Sequence, residues 1–297
     1  MKTIEFDTIF LSYDEPNAEE NYADLCSKVP WAQRVHGVKG SDAAHKAAVE
    51  LADTDWFITI DADNIVNPSF FDLDISFDDP KVQVYSWCGE NTVNGLIYGN
   101  GGVKLWHKDF VRQMQTHEAA ENDRAQVDFC WEDGYKQFKE VFSTVHINTT
   151  PLQAWRAGFR EGVKMTLLDG EKVHPQEIGQ KIWWHNIHRL KIWSTVGTHA
   201  ENGKYAVLGA RQGAYMTNCT NWDYIQVRDF DYLTELYNEI AGPLGNIDAE
   251  IQDLGKKLSL ELGFSWPYLD NELSLYFANL YKETINLGSS YFRGSNV

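Results

Sequence analysis

Residues 55–68 read "DWFITIDADNIVNP", and two carboxylates, Asp61 and Asp63, stand one residue apart directly after an apolar run. A near-continuous apolar stretch of this kind suits a strand whose sheet is covered by helices on both faces. Just upstream, "GSDAAHKAAVELADTD" carries Ala44, Ala47, Ala48 and Leu51 at helical spacing, with Ser41 or Asp42 placed to cap the helix. "TIFLSYDEP" predicts a strand over Thr8–Ser12 that ends in a polar turn. "RVHGV" predicts a second strand over residues 34–38, and "VQVYSWC" a later one. Strand, helix, strand, helix is an α/β order, in which ligands bind beyond the carboxyl ends of the strands. Asp61 therefore belongs at the ligand-binding edge of the sheet, and Asp63 can point to the same side.

Two hard oxygen donors there suit a divalent cation whose shell is completed by phosphate oxygens or water. A diphosphate is the natural third party, because a cation bridging carboxylate and diphosphate stabilises a departing nucleotide. Paired acids of this spacing are common in turns and helix caps. The apolar strand before this pair and "NIVNP" after it set it apart.

The chain has 297 residues, which predicts one main domain with an appendage. Its 43% hydrophobic and 23% charged residues are those of an ordinary soluble globular protein. No apolar run approaches the roughly 18 residues of a membrane span. The start, "MKTIEFDTIFLSYDEP", sets acidic residues among apolar ones, unlike a signal peptide, so the expected location is the cytoplasm, with no membrane partner. Cys26, Cys88, Cys130 and Cys219 are far apart and form no CxxC, which argues against structural zinc and a disulfide framework. The sequons at Asn148 and Asn218 are idle in such a compartment. A formal charge of −17 argues against a general polyanion binder.

Farther on, "NGLIYGNGGVKLW" brings Gly95, Gly99, Gly101 and Gly102, which permit close backbone approach to a ligand or form a loop between strands. "HKDFVRQM" predicts a helix, "DFCWEDGYKQFKEVF" a loop feeding a helix, and "STVHINTT" a strand. From about Asp229 onward the pattern is helical.

Taken in order, "LSYDEP", "GSDAAHKAAVELADTDWFITIDADNIVNPSFF", "FCWEDGY" and "VHINTTPLQAWRAGFREG" resemble the GT-A glycosyltransferases of the family-2 type over about residues 5–165. The resemblance implies an α/β fold: a Rossmann-like GT-A nucleotide-sugar domain with a mostly parallel sheet over residues 1–165. A helical, acceptor-binding region would follow over 166–297. It implies a nucleotide-binding turn at Ser12, Asp14 and Glu15, and Asp61 and Asp63 binding Mn²⁺ or Mg²⁺ with the diphosphate of a UDP-sugar donor. It also implies a catalytic acidic pair at Glu132 and Asp133. The chemistry agrees, since an inverting transfer needs a carboxylate beside the acceptor hydroxyl, and Asp133 is the candidate. A helix N-terminus also favours acidic residues for its dipole alone. His146 matches the place where the family often carries a third metal ligand, and neutral imidazole ligates Mn²⁺. His185, His188 and His199 compete for that role, and a strand histidine is also an ordinary core residue. Lys39 and Lys46 are placed to meet phosphate or uracil edges. "QAWRAG" loosely echoes the "QxxRW" of polymerising members, with Trp and Arg in a different order.

"AWRAGFREGVKM" and "NGKYAVLGARQGAY" more loosely resemble glycosyltransferases of tailed phages, several of which glycosylate hydroxymethylated pyrimidines in DNA. Residues 154–193 hold seven Lys/Arg against four Asp/Glu, with four Trp. A flipped base needs aromatic stacking beside a phosphate-binding surface. Trp155, Arg156, Arg160 and Lys164 are thus candidate acceptor-binding residues, joined by Lys181, Trp183, Trp184, Arg189 and Trp193. The reading is a metal-dependent transferase acting from a nucleotide-sugar onto a hydroxyl, with 5-hydroxymethylpyrimidine in phage DNA, in the host cytoplasm, as the first acceptor. A glycan, lipid or protein acceptor is the second reading, and an inactive GT-A-like binding module the third.

Overall fold

The structure is a computed structural model that describes residues 1–99, 102–121 and 134–283. Its central sheet contains β1 (Asp7–Ser12), β2 (Gln33–His36), β3 (Trp56–Asp61) and β4 (Asn64–Val66). It is completed by β5 (Val84–Asn91), β6 (Ile97–Tyr98), β7 (Val103–His107) and β8 (Tyr135–Val145). The order is β2-β1-β3-β7-β5-β8-β4, with β6 pairing β5 off this path. Strands β2, β1 and β3 are parallel, joined through helices α1 (Ala18–Lys28) and α2 (Ser41–Leu51). β7 runs antiparallel to both β3 and β5, β8 parallel to β5, and β4 antiparallel to β8. The sheet is therefore mixed: β1–β2, β1–β3 and β5–β8 pair in parallel, as the expected mostly parallel sheet requires, while the pairings of β7, β6 and β4 are antiparallel. Residues 92–102 between β5 and β7 are too short for a helical crossover, so β7 returns antiparallel.

β3 is buried on both faces, as its apolar run requires. Phe57 joins Ile9, Val35, Ala48 and Trp106 on one side, while Ile58 and Ile60 join Phe10, Leu25 and Trp87 on the other. Thr59 is buried too, and its Oγ1 accepts from Trp106 Nε1 at 2.8 Å. Helix α2 is capped by neither Ser41 nor Asp42. Gly40, with φ of 102°, is the N-cap, and Asp42 instead accepts from the Thr116 N–H at 3.1 Å. "YKQFKEVF" is strand β8 and not a helix. Phe138 stacks on Tyr85 and Trp87, and Phe142 meets Phe70, so the aromatic positions are satisfied across strands.

After β7 comes α3 (Lys108–Gln113), and after β8 the chain is mainly helical: α4 (Pro151–Lys164), α5 (Trp184–Trp193), α6 (Gly203–Cys219), α7 (Phe230–Ile240), α8 (Ile247–Leu262) and α9 (Asn271–Glu283). Pro151 opens α4, and Thr150 Oγ1 accepts from the Gln153 N–H at 3.2 Å. Backbones touch where α4 crosses α6. A Cβ at Gly158 or Gly162 would fall 2.0 or 2.1 Å from the carbonyl oxygens of Ala206 and Ala210. One at Gly209 or Gly213 would fall 2.2 Å from those of Trp155 and Phe159. This pairing fixes which face of α4 is turned away, and Arg156, Arg160 and Lys164, spaced by four, lie on that other side. Arg211, buried within α6, donates to the carbonyls of Ser194, Ile251 and Pro267 at 2.8, 2.6 and 2.6 Å, tying three segments together. Among the described residues no helix is long and apolar enough to cross a membrane. Cys26, Cys88 and Cys219 are free thiols.

Candidate functional site

The chain passes from β1 to β2 on one side and then to β3 on the other, which leaves a crevice at the carboxyl ends of β1 and β3. A cleft of about 590 Å³ opens there. Ser12, Tyr13 and Glu15 line it from the turn after β1, Lys39 and Gly40 from the approach to α2, and Asp61 and Asp63 from the end of β3. Arg156, Arg160 and Lys164 form the α4 wall, and Val227–Asp231 closes the outside.

The turn that carries the acidic pair is braced on every side. The Asp61 N–H donates to Gly102 O at 3.0 Å, and a Cβ at Gly102 would come within 2.4 Å of the Asp61 Cβ, so only glycine fits beside it. Asn21 Nδ2 donates to Ala62 O at 2.7 Å, and the His146 N–H to Asp63 O at 2.7 Å. Asn64 is buried, donates from Nδ2 to Asp63 Oδ1 at 2.7 Å, and accepts at Oδ1 from Ser143 Oγ at 2.8 Å. The carboxylates are thus held before any ligand arrives.

Their electrostatics are unbalanced. Withdrawal from water, with Asp61 and then Glu15 nearby, pushes the Asp63 carboxyl up to about 7, against the pull of Asn64 and Arg160. Burial also raises Glu15, whose Oε2 accepts from the Tyr13 N–H at 2.7 Å. Lys104 Nζ stands 4.0 Å from Asp61. Among the described residues no three His, Cys, Asp or Glu gather closely enough to hold a metal alone. The donor set fits a hard cation that takes two protein carboxylates and draws its other ligands from a bound diphosphate or water.

Several expected residues meet in the cleft and others do not. Ser12 is anchored by Arg34 Nε at 2.8 Å and His36 Nδ1 at 2.9 Å. Asp14 turns to α4, where Arg156 donates to both its oxygens at 2.7 Å. Lys39 crosses the cleft mouth to Asp231 at 2.5 Å, and Tyr13 Oη donates to the same carboxylate at 3.2 Å. Lys46 does not line the cleft, because it pairs with Asp42 one turn away at 2.5 Å. His146 does not line it either. Its Nε2 pairs with Thr144 Oγ1 at 2.9 Å, and its contribution is the backbone bond to Asp63. His199 bonds Ser274, and His188 packs on Tyr281, so neither approaches the acidic pair. Glu132 and Asp133 lie outside the described residues.

The acceptor surface expected over residues 154–193 is not assembled as an open face. Trp155 and Trp193 are core residues, and Trp155 Nε1 donates to Gln212 at 2.5 Å. Helical spacing places Trp155 and Phe159 on the face that packs under α6, so burial claims the indole. Arg156, Arg160 and Lys164 face the acidic pair across the cleft. Trp183 and Trp184 stay exposed.

Tyr13 falls inside the predicted turn from Ser12 to Glu15, whereas sequence reasoning missed Lys104, Phe230 and Asp231. A lysine inside the apolar "GGVKLW" was a readable signal for Lys104. Phe230 lies 4.3 Å from the Arg156 guanidinium and 4.8 Å from that of Arg160, measured to the ring centroid. Nothing in "RDFDY" announces that contact, because it comes from far along the chain.

No protein-family model and no curated protein matches the chain. Among solved structures it is similar to a glycosyltransferase involved in the glycosylation of the major capsid of PBCV-1, at 18% identity and a TM-score of 0.31, over 48% of this chain and 93% of that one.

Proposed function

We propose that the chain is a glycosyltransferase of the GT-A type that transfers a sugar from a nucleotide diphosphate donor, a UDP-sugar first among them, to a hydroxyl acceptor. One observation carries the reading. Asp61 and Asp63 face Arg156, Arg160 and Lys164 across a single cleft at the carboxyl ends of β1 and β3. A diphosphate satisfies both walls, since guanidinium and ammonium groups meet its oxygens directly. A divalent cation, Mn²⁺ or Mg²⁺, held by Asp61 and Asp63 would neutralise the diphosphate as it departs. Tyr13 and the Lys39–Gly40 approach border the space beside β1 where the nucleoside fits. Asp133, with Glu132 beside it, takes the proton of the acceptor hydroxyl. The hydroxyl oxygen bonds to the anomeric carbon, and the bond from that carbon to the diphosphate breaks.

A hydroxyl on a glycan, lipid or protein is favoured over a base in DNA. Of the residues expected to grip DNA, Arg156, Arg160 and Lys164 line the cleft and Trp155 and Trp193 lie in the core, which leaves, among the described residues, no stacking indole beside those three cations. The remaining surface belongs to a chain of net charge −17, and DNA affinity depends on phosphate contact.

The test is release of nucleoside diphosphate from UDP-glucose, UDP-galactose, GDP-mannose and dTDP-glucose with Mn²⁺ present. At least one donor should be hydrolysed, and EDTA should stop the reaction. Turnover of none, with binding intact, would leave the binding-module reading in its place.

A further inference from the structure

Phe230 is the first residue of α7, and α7 enters the cleft only at its start. That start is fixed from three directions. Asp229 accepts from the N–H groups of Asp231 and Tyr232 at 3.0 and 3.1 Å, which caps the helix. Asp231 is joined to Lys39 at 2.5 Å and to Tyr13 at 3.2 Å, across the cleft mouth. The Phe230 ring is held against α4, with two guanidinium carbons at 4.3 and 4.8 Å from its centroid.

Arg156 and Arg160 sit one turn apart on α4, so their like charges repel. A ring face is negative, and it attracts planar guanidinium groups that lie against it. From the other side, Asp14 takes two hydrogen bonds from Arg156, which fixes that group's rotation. The pair is thus arranged before any anion arrives, and a preset site loses less freedom on binding than one that must be ordered.

We propose that Phe230 is a positioning residue for the donor diphosphate: its ring holds the guanidinium groups of Arg156 and Arg160 side by side on the wall facing Asp61 and Asp63. The inference rests on the reading of the cleft as a nucleotide-sugar site. It adds that the anion-binding geometry is set by a residue of the C-terminal helices. The ring need not touch the donor. It acts through the two arginines.

The experiment is calorimetric titration of UDP, GDP, CDP and dTDP, and of inorganic pyrophosphate, into wild type, Phe230→Leu and Phe230→Tyr with Mn²⁺ present. The matching nucleosides are titrated by ligand-observed NMR, and melting temperatures are recorded for every variant. Leucine fills much of the volume but offers no ring face. F230L should bind the preferred nucleoside diphosphate and pyrophosphate about tenfold more weakly, the scale of a lost cation–π contact. Affinity for the nucleoside should not move. F230Y should restore most of the loss. If F230L does not fold, Phe230→Met replaces it with the same expectation. An unchanged diphosphate affinity in the leucine or methionine variant overturns the role of Phe230 and leaves the donor site standing. Equal losses for nucleoside and diphosphate also overturn it, since that is general damage to the cleft. A wild type that binds no nucleoside diphosphate overturns both the inference and the reading beneath it.

Discussion

Arg156 donates one hydrogen bond to each oxygen of Asp14, both at 2.7 Å, across 142 residues of sequence. This fork joins helix α4 to the turn after β1 and so sets the width of the cleft between them. The Arg156 side chain is only 7% exposed, so the guanidinium depends on its partner.

Asp14→Ala should therefore lower stability by about 1–3 kcal/mol, the range for hydrogen bonds to a charged group left unpaired. Urea unfolding measures it. Arg156→Lys should recover little in either stability or donor affinity, because an ammonium is a point charge that does not reproduce the fork. A lysine variant equal to wild type in both would show that charge alone, and not the paired geometry, matters here.

The α4–α6 crossing has no room for a side chain at Gly162, where a Cβ would lie 2.1 Å from Ala210 O. Gly162→Val should destabilise by about 3 kcal/mol or more, as overpacking against backbone does. Donor affinity should fall with it, since α4 carries the cationic wall. Gly179→Ala is the control, because its Cβ would meet nothing nearer than 3.9 Å and should change stability by no more than about 0.5 kcal/mol. Thermal denaturation of the two variants side by side checks the contrast.

Arg211→Met should cost about 3 kcal/mol or more, because it strips three carbonyls of their donor in a buried place. The methionine retains much of the apolar bulk, so a large loss isolates the hydrogen bonds. A change below about 0.5 kcal/mol in chemical denaturation would mean that other donors replace the guanidinium.

Asp133→Asn should leave donor affinity nearly intact and reduce turnover by roughly 10²-fold or more, the scale of a lost general base. Binding and single-turnover rate are compared on one preparation. A near-normal rate would move the role to Glu132, and a product of retained anomeric configuration would count against a simple base altogether.

Much of this site could be read before the fold was known, for identifiable reasons. The apolar run before Asp61 marks a two-sided buried strand, and a strand's carboxyl end is where α/β folds bind ligands. That reasoning carried Ser12, Glu15, Asp61 and Asp63 to one cleft. Arg156, Arg160 and Lys164 were legible as a row, but their direction was not. It depends on Gly158 and Gly162 claiming one face of α4 for contact with α6. Trp155 was misread because an indole beside arginines looks like a stacking surface, whereas its spacing from Phe159 buries both. In β8, Phe138 and Phe142 are four residues apart, which suits a helix and a strand alike, so the period alone could not decide. Phe230 and Asp231 reach the site only through long-range packing, which no local pattern encodes.

The central claim is that the acidic pair and the α4 cations bind one diphosphate between them. Its most direct test is calorimetric titration of UDP, GDP, CDP and dTDP, with Mn²⁺, into wild type and Asp63→Ala. Asp63 sits in the turn after β3 with its carboxyl withdrawn from water beside Asp61, so its loss removes a burial and repulsion cost along with the Asn64 hydrogen bond, and the variant should keep its melting temperature. At least one nucleotide should bind wild type and lose tenfold or more of its affinity in the variant, as a hard ligand is removed. Equal affinity in both proteins, or no binding of any nucleotide to wild type, would contradict the account.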